Sequence, residues 1–419
     1  MRPATPRGFR DVAPAEAAER ELVLGRLADA FSAWGYDRVE TPVVERLDVL
    51  EAAAGPLEGT AFRLVDLDGR LLALRPDLTL PIARLAASRL NPQATPLRLR
   101  YAAEAFREHE SLRGQARQFT QVGVELIGAG GPEADAEVIA VLVEALRASG
   151  LARFHVAVGS VAVFAAIIDA AGMGEDWGAA VFRAAHERNL VELDRLAAAP
   201  GVLADAARAL REVPRIRGDR DATVDCRRAT AGCGCERVLD EFERMWLLLE
   251  AAGVASNVTA DFSVMRSFDY YTGVVFDAYA PGFGVTLGGG GRYDGVLAKF
   301  GSGAPAAGFA LGLERLSIAL VEQGVALPVR ALDAVIGGDA ADALAAAARL
   351  RDAGWRVALS SEEGAELVAE ARDRQAIEAL VARGERIIRL DRAGEPAQPL
   401  PDAIPYAPSA TWAREGDAS

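Results

Sequence analysis

Apolar residues recur at Leu24, Leu27, Phe31 and Trp34, and this three-and-four spacing predicts a helix over 15–34. Gly35 is its expected stop, and residues 36–40 then alternate like a strand before Thr41-Pro42. Asp68-Gly69 lies between the apolar runs FRLVD and RLLAL and predicts a tight hairpin. Two further strands are expected at 97–106 and 118–127, joined by the polar loop EHESLRGQA as an antiparallel pair. From about residue 162 to 254 the pattern becomes helical and alanine-rich. Strand character returns at 271–279, followed by a glycine-rich stretch and a helix near 311–323. After a linker-like VEQGVALPV, the segments LDAVIGG, an alanine-rich helix, WRVALSS, a second helix and RIIRL alternate as a small α/β domain. The proline-rich residues from about 396 onward are expected to be irregular.

Composition narrows the class. The chain has 419 residues, 51% hydrophobic and 25% charged, which suits two or three folded domains and excludes a mostly disordered chain. Charged residues interrupt every apolar run before the ~18–20 positions a membrane span needs. The first twenty residues lack the apolar core of a secretory signal. Three cysteines cannot build a disulfide framework, and a reducing cytoplasm is the expected setting. A net charge of −14 argues against a surface devoted to nucleic acid. Lys299 is the only lysine, so lysine chemistry must run through it or be absent.

Three places concentrate candidate chemistry. LRPDLT puts Arg75, Asp77 and Thr79 just after a predicted strand. Around the polar loop stand Arg107 before it and Gln121 and Glu125 after it; the last two differ by four and so share a strand face with Gly123. They would line a polar pocket or, with even weight, a solvated face carrying cross-strand ion pairs. The third place runs from RSFDYYTG through GVTLGGGGRYDG to GFALGLERL. Gly288–Gly291 lack the Lys-Ser/Thr of a phosphate loop, and a tight turn is the expected reading. Cys226, Cys233 and Cys235 lack a fourth ligand and are read as free thiols, with no metal assigned. His109, His155 and His186 offer no triad with a serine, although His109 could touch a ligand from the loop. Of Tyr270 and Tyr271, one faces the pocket, and Tyr271 is the choice.

Taken in order, these motifs resemble the histidyl-tRNA synthetase family of class II synthetases over roughly residues 5–320. The helix leading to Thr41-Pro42 is similar to motif 1, the dimer interface of that family. FRE, the loop and RQFTQVGVE are similar to motif 2, and GFALGLERL to motif 3. RSFDYYTG and GGGRYDG are similar to its two histidine-specific segments. The resemblance implies an α/β (α+β) fold: a mainly antiparallel sheet with flanking helices over 1–325, a helical insertion at about 165–255, and a small C-terminal α/β domain at 326–419. It also implies a histidine pocket. Asp77, Thr79 and Gln121 would meet the α-ammonium, Arg266 the carboxylate, and Glu125 and Tyr271 the imidazole nitrogens, with Arg107 beside them. An ammonium, a carboxylate and a bifunctional ring call for an acid, a guanidinium and an acceptor–donor pair. Each such desolvated bond contributes roughly 1.5–3 kcal/mol.

Departures point to a relative of the synthetases. Arg107 and Arg315 stand at the two nucleotide-handling arginine positions, but Gln115 replaces an arginine after the loop glycine. LRPDLT replaces LRPEGT, and Leu78 beside the pocket is expected to narrow it or change its backbone. Residues 331–419 carry ten arginines against sixteen acids, a net −6 that would repel an RNA backbone. The chain more closely resembles the ATP phosphoribosyltransferase regulatory subunit family, in PRGFRD, LRPDLT and FTQVGVELIG. That resemblance implies a non-catalytic, cofactor-free subunit with a vestigial nucleotide site at Arg107 and Arg315. Its partners would be a short-form catalytic ATP phosphoribosyltransferase subunit in a hetero-octamer, a second copy of itself, and L-histidine as feedback signal. No nucleic acid or membrane partner is expected. An active histidyl-tRNA synthetase is the alternative, and a freestanding amino-acid adenylating enzyme a third reading.

Overall fold

The computed structural model describes residues 4–57, 60–108, 116–266, 271–327 and 331–400. His109, Gln115 and Tyr270 lie outside these residues. The chain divides into two compact units, residues 1–327 and 328–419.

In the first unit, helix α1 (Pro14–Ala33) starts on a proline and buries Val23, Leu27 and Phe31 along one stripe. Gly35 follows it in the left-handed region at φ +77°. The strand expected at 36–40 shrinks to β1 (Asp37–Arg38). The Thr41 and Pro42 carbonyls accept from the Arg75 guanidinium at 2.7 and 3.3 Å instead of extending a ladder. β2 (Val44–Arg46), helix α2 (Leu47–Ala54), β3 (Arg63–Val65) and β4 (Leu71–Leu74) come next. Their strands form a small antiparallel sheet in the order β2-β4-β3, with Gly69 at φ +83° in the hairpin. Helix α3 (Thr79–Leu85) leads to β5 (Leu97–Phe106) and β6 (Gln118–Ile127). These two pair antiparallel over their full length, from Leu97↔Ile127 to Phe106↔Gln118.

α4 (Gly131–Ser149) and β7 (His155–Ser160) precede the helical region. It comprises α5 (Val161–Ala170), α6 (Glu175–His186), α7 (Leu190–Ala197), α8 (Ala204–Glu212), a two-residue β8 (Arg217–Gly218), α9 (Asp221–Ala229) and α10 (Glu236–Ala251). The three cysteines are buried there, and burial pushes Cys226 up to about 12 and Cys235 up to about 11. The chain then returns through β9 (Val258–Asp261), β10 (Val274–Tyr279), β11 (Gly288–Arg292), α11 (Gly295–Lys299), β12 (Ala306–Gly312) and α12 (Leu313–Glu322). The large sheet runs β1-β5-β6-β12-β11-β10-β7-β9-β8, and all its pairs are antiparallel except β1–β5 and β7–β9. Lys299 donates to the Ala53 carbonyl at 2.7 Å, a packing contact.

β11 overturns the turn expected at Gly288–Gly291. None of the four glycines has positive φ. They are glycine because a Cβ would strike neighbouring backbone, such as Gly308 O beside Gly290 and Ala310 O beside Gly288. Similarly, 271–273 stay outside β10, which begins at Val274.

The second unit holds β13 (Ala334–Gly338), α13 (Ala340–Asp352), β14 (Val357–Leu359), α14 (Gly364–Asp373), β15 (Glu378–Arg383), β16 (Arg386–Leu390) and β17 (Pro396–Pro399), with sheet order β14-β13-β15-β16-β17. Asp339 caps α13 by accepting the Ala341 and Asp342 amides. The pattern missed β15, whose Ala-Leu-Val-Ala run is buried on both faces and so does not alternate. β17 corrects the irregular reading from 396, since prolines are tolerated on an edge strand.

Candidate functional site

The two faces of β6 divide its labour. Val122, Val124 and Leu126 enter the core shared with α1 and α4. Gln121 and Glu125 point the other way, into a cavity of 480 Å³. The solvated alternative is overturned, because Gln121 is 8% and Glu125 1% exposed. Small residues on the adjoining strands leave room for them. Gly308 pairs with Glu125 and Ala310 with Gly123 across the β6–β12 ladder. A Cβ on Gly308 would collide with the Glu125 carboxylate, and one on Gly123 with the Tyr101 hydroxyl.

Apart from His109, which lies outside the described residues, the residues singled out for ligand contact line this one cavity: Asp77, Thr79, Arg107, Gln121, Glu125, Arg266, Tyr271 and Arg315. At the β5–β6 end, Thr79 Oγ1 donates to Glu125 Oε1 at 2.8 Å, the Tyr101 hydroxyl donates to the same oxygen at 3.4 Å, and the Tyr293 hydroxyl donates to Oε2. Burial pushes Glu125 up to about 8, against the pull of the Tyr293 and Thr79 hydroxyls. Asp77 is also raised by burial, although the Leu80 amide and the Arg107 charge oppose this. Its Oδ1 accepts from the Leu80 amide at 3.1 Å, in the first turn of α3.

Leu78 does not narrow the cavity. Its side chain is 1% exposed within the core on the α2–α3 side, and its backbone is right-handed, so glycine is not required. Its amide donates to Gln121 Oε1 at 3.1 Å and holds that side chain. Arg75 is likewise structural, donating to the Glu104 and Thr41 carbonyls at 2.7 Å each.

The other end is cationic. Arg107 donates to the Pro76 carbonyl at 2.9 Å and lies 5.2 Å from the Phe119 ring centroid. Arg266 pairs with Asp277 at 2.5 Å, and its guanidinium carbon lies 5.9 Å from the Tyr271 ring centroid. Arg315 donates to the Thr286 carbonyl at 3.0 Å. Burial, then the charges of Arg107 and Arg266, lowers the Arg315 pKa, so Arg315 senses both of the other guanidiniums. An anion placed among them would relieve that repulsion. Beside them, Glu314 is engaged elsewhere: it accepts from Arg20 of α1 at 2.7 Å and from the Thr120 amide at 3.1 Å.

Tyr101, Tyr293 and Asp277 were not singled out from the sequence. The β5–β6 register places Tyr101 opposite Gly123 and would have exposed its role. Tyr293 stood unremarked inside GGGRYDG. Among the described residues no group of acids, histidines and cysteines is arranged to hold a metal. No helix among them is long and apolar enough to cross a membrane.

Known proteins fit this architecture. The histidyl-tRNA synthetase family matches residues 8–316. The ATP phosphoribosyltransferase regulatory subunit of Moorella thermoacetica is 40% identical over 88% of this chain and 94% of its own length. The chain belongs to the ATP phosphoribosyltransferase regulatory subunit family. Its counterpart in Symbiobacterium thermophilum is 41% identical over 90% of this chain and 96% of its own. A solved structure described as an ATP phosphoribosyltransferase regulatory subunit/histidyl-tRNA synthetase from Bacillus halodurans superposes with a TM-score of 0.80. It covers 92% of this chain and 99% of its own at 30% identity. The fold is therefore the class II synthetase type expected from the motifs, and the family is built on the histidyl-tRNA synthetase framework.

Proposed function

We propose that this chain is a non-catalytic regulatory subunit of ATP phosphoribosyltransferase, the first step of histidine biosynthesis, and that its cavity receives L-histidine as the feedback signal. One observation supports the reading above the rest. In a chain aligned along nearly the whole length of regulatory subunits, a single cavity gathers buried acids at one end and guanidiniums at the other. In this reading Asp77, Thr79 and Gln121 receive the α-ammonium and Arg266 the carboxylate. Glu125 and Tyr271 receive the imidazole, and Arg107 and Arg315 are the remnant of a nucleotide site. The subunit works in the cytoplasm with a short-form catalytic chain, as a dimer within a hetero-octamer. Its acidic C-terminal unit does not bind RNA. Feedback is then a coupling free energy of about 1–3 kcal/mol between this cavity and the partner's active site.

Two assays test this. Adding the purified chain should switch on a short-form phosphoribosyltransferase, and L-histidine should reverse the activation. Histidine-dependent exchange between ATP and pyrophosphate by the chain alone, without such activation, would instead establish the synthetase reading. Arg266→Ala should weaken histidine binding on the order of 10–100-fold by calorimetry.

A further inference from the structure

Behind Arg266 a run of hydrogen bonds leaves the cavity and ends in the helical region. Arg266 Nη1 donates to Asp277 Oδ1 at 2.5 Å and to the Phe276 carbonyl at 3.3 Å. The other Asp277 oxygen accepts from the Tyr279 hydroxyl at 3.4 Å. That hydroxyl accepts in turn from Arg188 Nη2 at 3.0 Å. Arg188 sits in the corner between α6 and α7 at φ +53°, a region that side-chain-bearing residues avoid unless their surroundings impose it. From the same corner, His186 Nδ1 lies 3.4 Å from the carbonyl oxygen of Met265, the residue preceding Arg266. The corner therefore meets Arg266 along its backbone and, through two intermediates, at its guanidinium.

The path is tightly built. Asp277 is 8% exposed, so protein groups rather than water set its geometry. Gly289 faces it on β11, where a Cβ would strike both Arg266 Nη1 and the Asp277 carboxylate. The Tyr279 ring stacks on His155, its register partner, with centroids 5.2 Å apart and planes 16° apart. Asp277 and Tyr279 alternate with inward-packed Phe276 and Ala278 on β10, so both reach the same face of the sheet.

We propose that Asp277 and Tyr279 are positioning residues that aim the Arg266 guanidinium at a ligand carboxylate, and that Arg188 ties this aim to the α6–α7 corner. This rests on the reading of the cavity as an amino-acid site with Arg266 at the carboxylate. Because coupling is reciprocal, a ligand that draws Arg266 forward also steadies the corner. The helical region then carries a signal of cavity occupancy.

The test compares L-histidine with L-histidinol, which keeps the ring and amine but lacks the carboxylate, by calorimetry on the full chain. Asp277→Asn should weaken histidine on the order of tenfold, since it removes the charge that fixes Arg266. Tyr279→Phe and Arg188→Ala should each weaken it by about two- to threefold. Histidinol affinity should stay within about twofold in all three. Hydrogen exchange at residues 186–190 should slow on histidine binding in the wild type and respond less in Tyr279→Phe. Equal losses for both ligands leave the preference for histidine unchanged, and that result would overturn the relay and reduce these residues to structural ones. Should Asp277→Asn fail to fold, Tyr279→Phe, which keeps the stacked ring, decides alone. A wild-type chain with no preference for histidine over histidinol would overturn the cavity reading itself, and the relay with it.

Discussion

Two buried carboxylates in the first unit, ten positions apart, meet opposite surroundings. Asp135 faces Arg292, which reaches its two oxygens at 2.7 and 3.3 Å, and both residues are 7% exposed. Glu125 is more deeply buried, and among the described residues its donors are three hydroxyls. Burial raises both acids, but the cation holds Asp135 to about 6 while Glu125 reaches about 8. A carboxyl completed by a guanidinium is finished structure, and it ties β11 to α4. One supported by hydroxyls alone keeps capacity for a further partner, and it is this one that lines the cavity.

The sharpest way to break the comparison is Arg292→Ala, which strands Asp135. Loss of one partner of a buried pair should cost about 3–5 kcal/mol in denaturant unfolding. A cost under about 1 kcal/mol would show that Asp135 is not dependent on its cation. Next comes Gly308→Ala, whose methyl must share space with the Glu125 carboxylate and the Val124 carbonyl. It should cost about 1–3 kcal/mol and diminish ligand uptake together.

Glu125→Gln addresses the proton directly. Glu125's folded pKa lies above its unfolded value, so the folded state holds the extra proton. Its contribution to stability is full below about pH 4.5 and is lost as pH rises through about 8. A glutamine cannot ionise, so the variant should lack this slope. At pH 9 it should exceed the wild type by about 1–3 kcal/mol in thermal or urea unfolding. Parallel pH profiles for the two proteins would remove Glu125 from the account. At the far end of the scale, the exposed Arg237–Glu241 pair at 2.9 Å should matter little. Arg237→Ala is expected to change stability by under about 0.5 kcal/mol.

Much of the frame was legible along the chain. The 15–34 helix, the 68–69 hairpin and the 97–106/118–127 strand pair all form, because their periodicities and turn residues are local signals. The two-residue spacing of Gln121 and Glu125 from Gly123 put them on one face, and the motifs named Asp77, Thr79, Arg107, Arg266, Tyr271 and Arg315, which line the same cavity. Less legible were elements whose burial on both sides erases alternation, such as β15, and the glycine strand β11, where composition alone suggests a turn.

What the linear pattern carries is periodicity, turn chemistry and the inventory of groups able to meet an ammonium, a carboxylate and a ring. Assembly in three dimensions settled the rest. It sent Leu78 into the core, set Tyr101 and Tyr293 onto Glu125, and opened glycine-lined space beneath two side chains. It also ran Arg266 through Asp277 and Tyr279 to a corner nearly eighty residues earlier in the chain. Those outcomes depend on which strands become neighbours. Desolvation and close approach are properties of that neighbourhood, and no residue carries them alone.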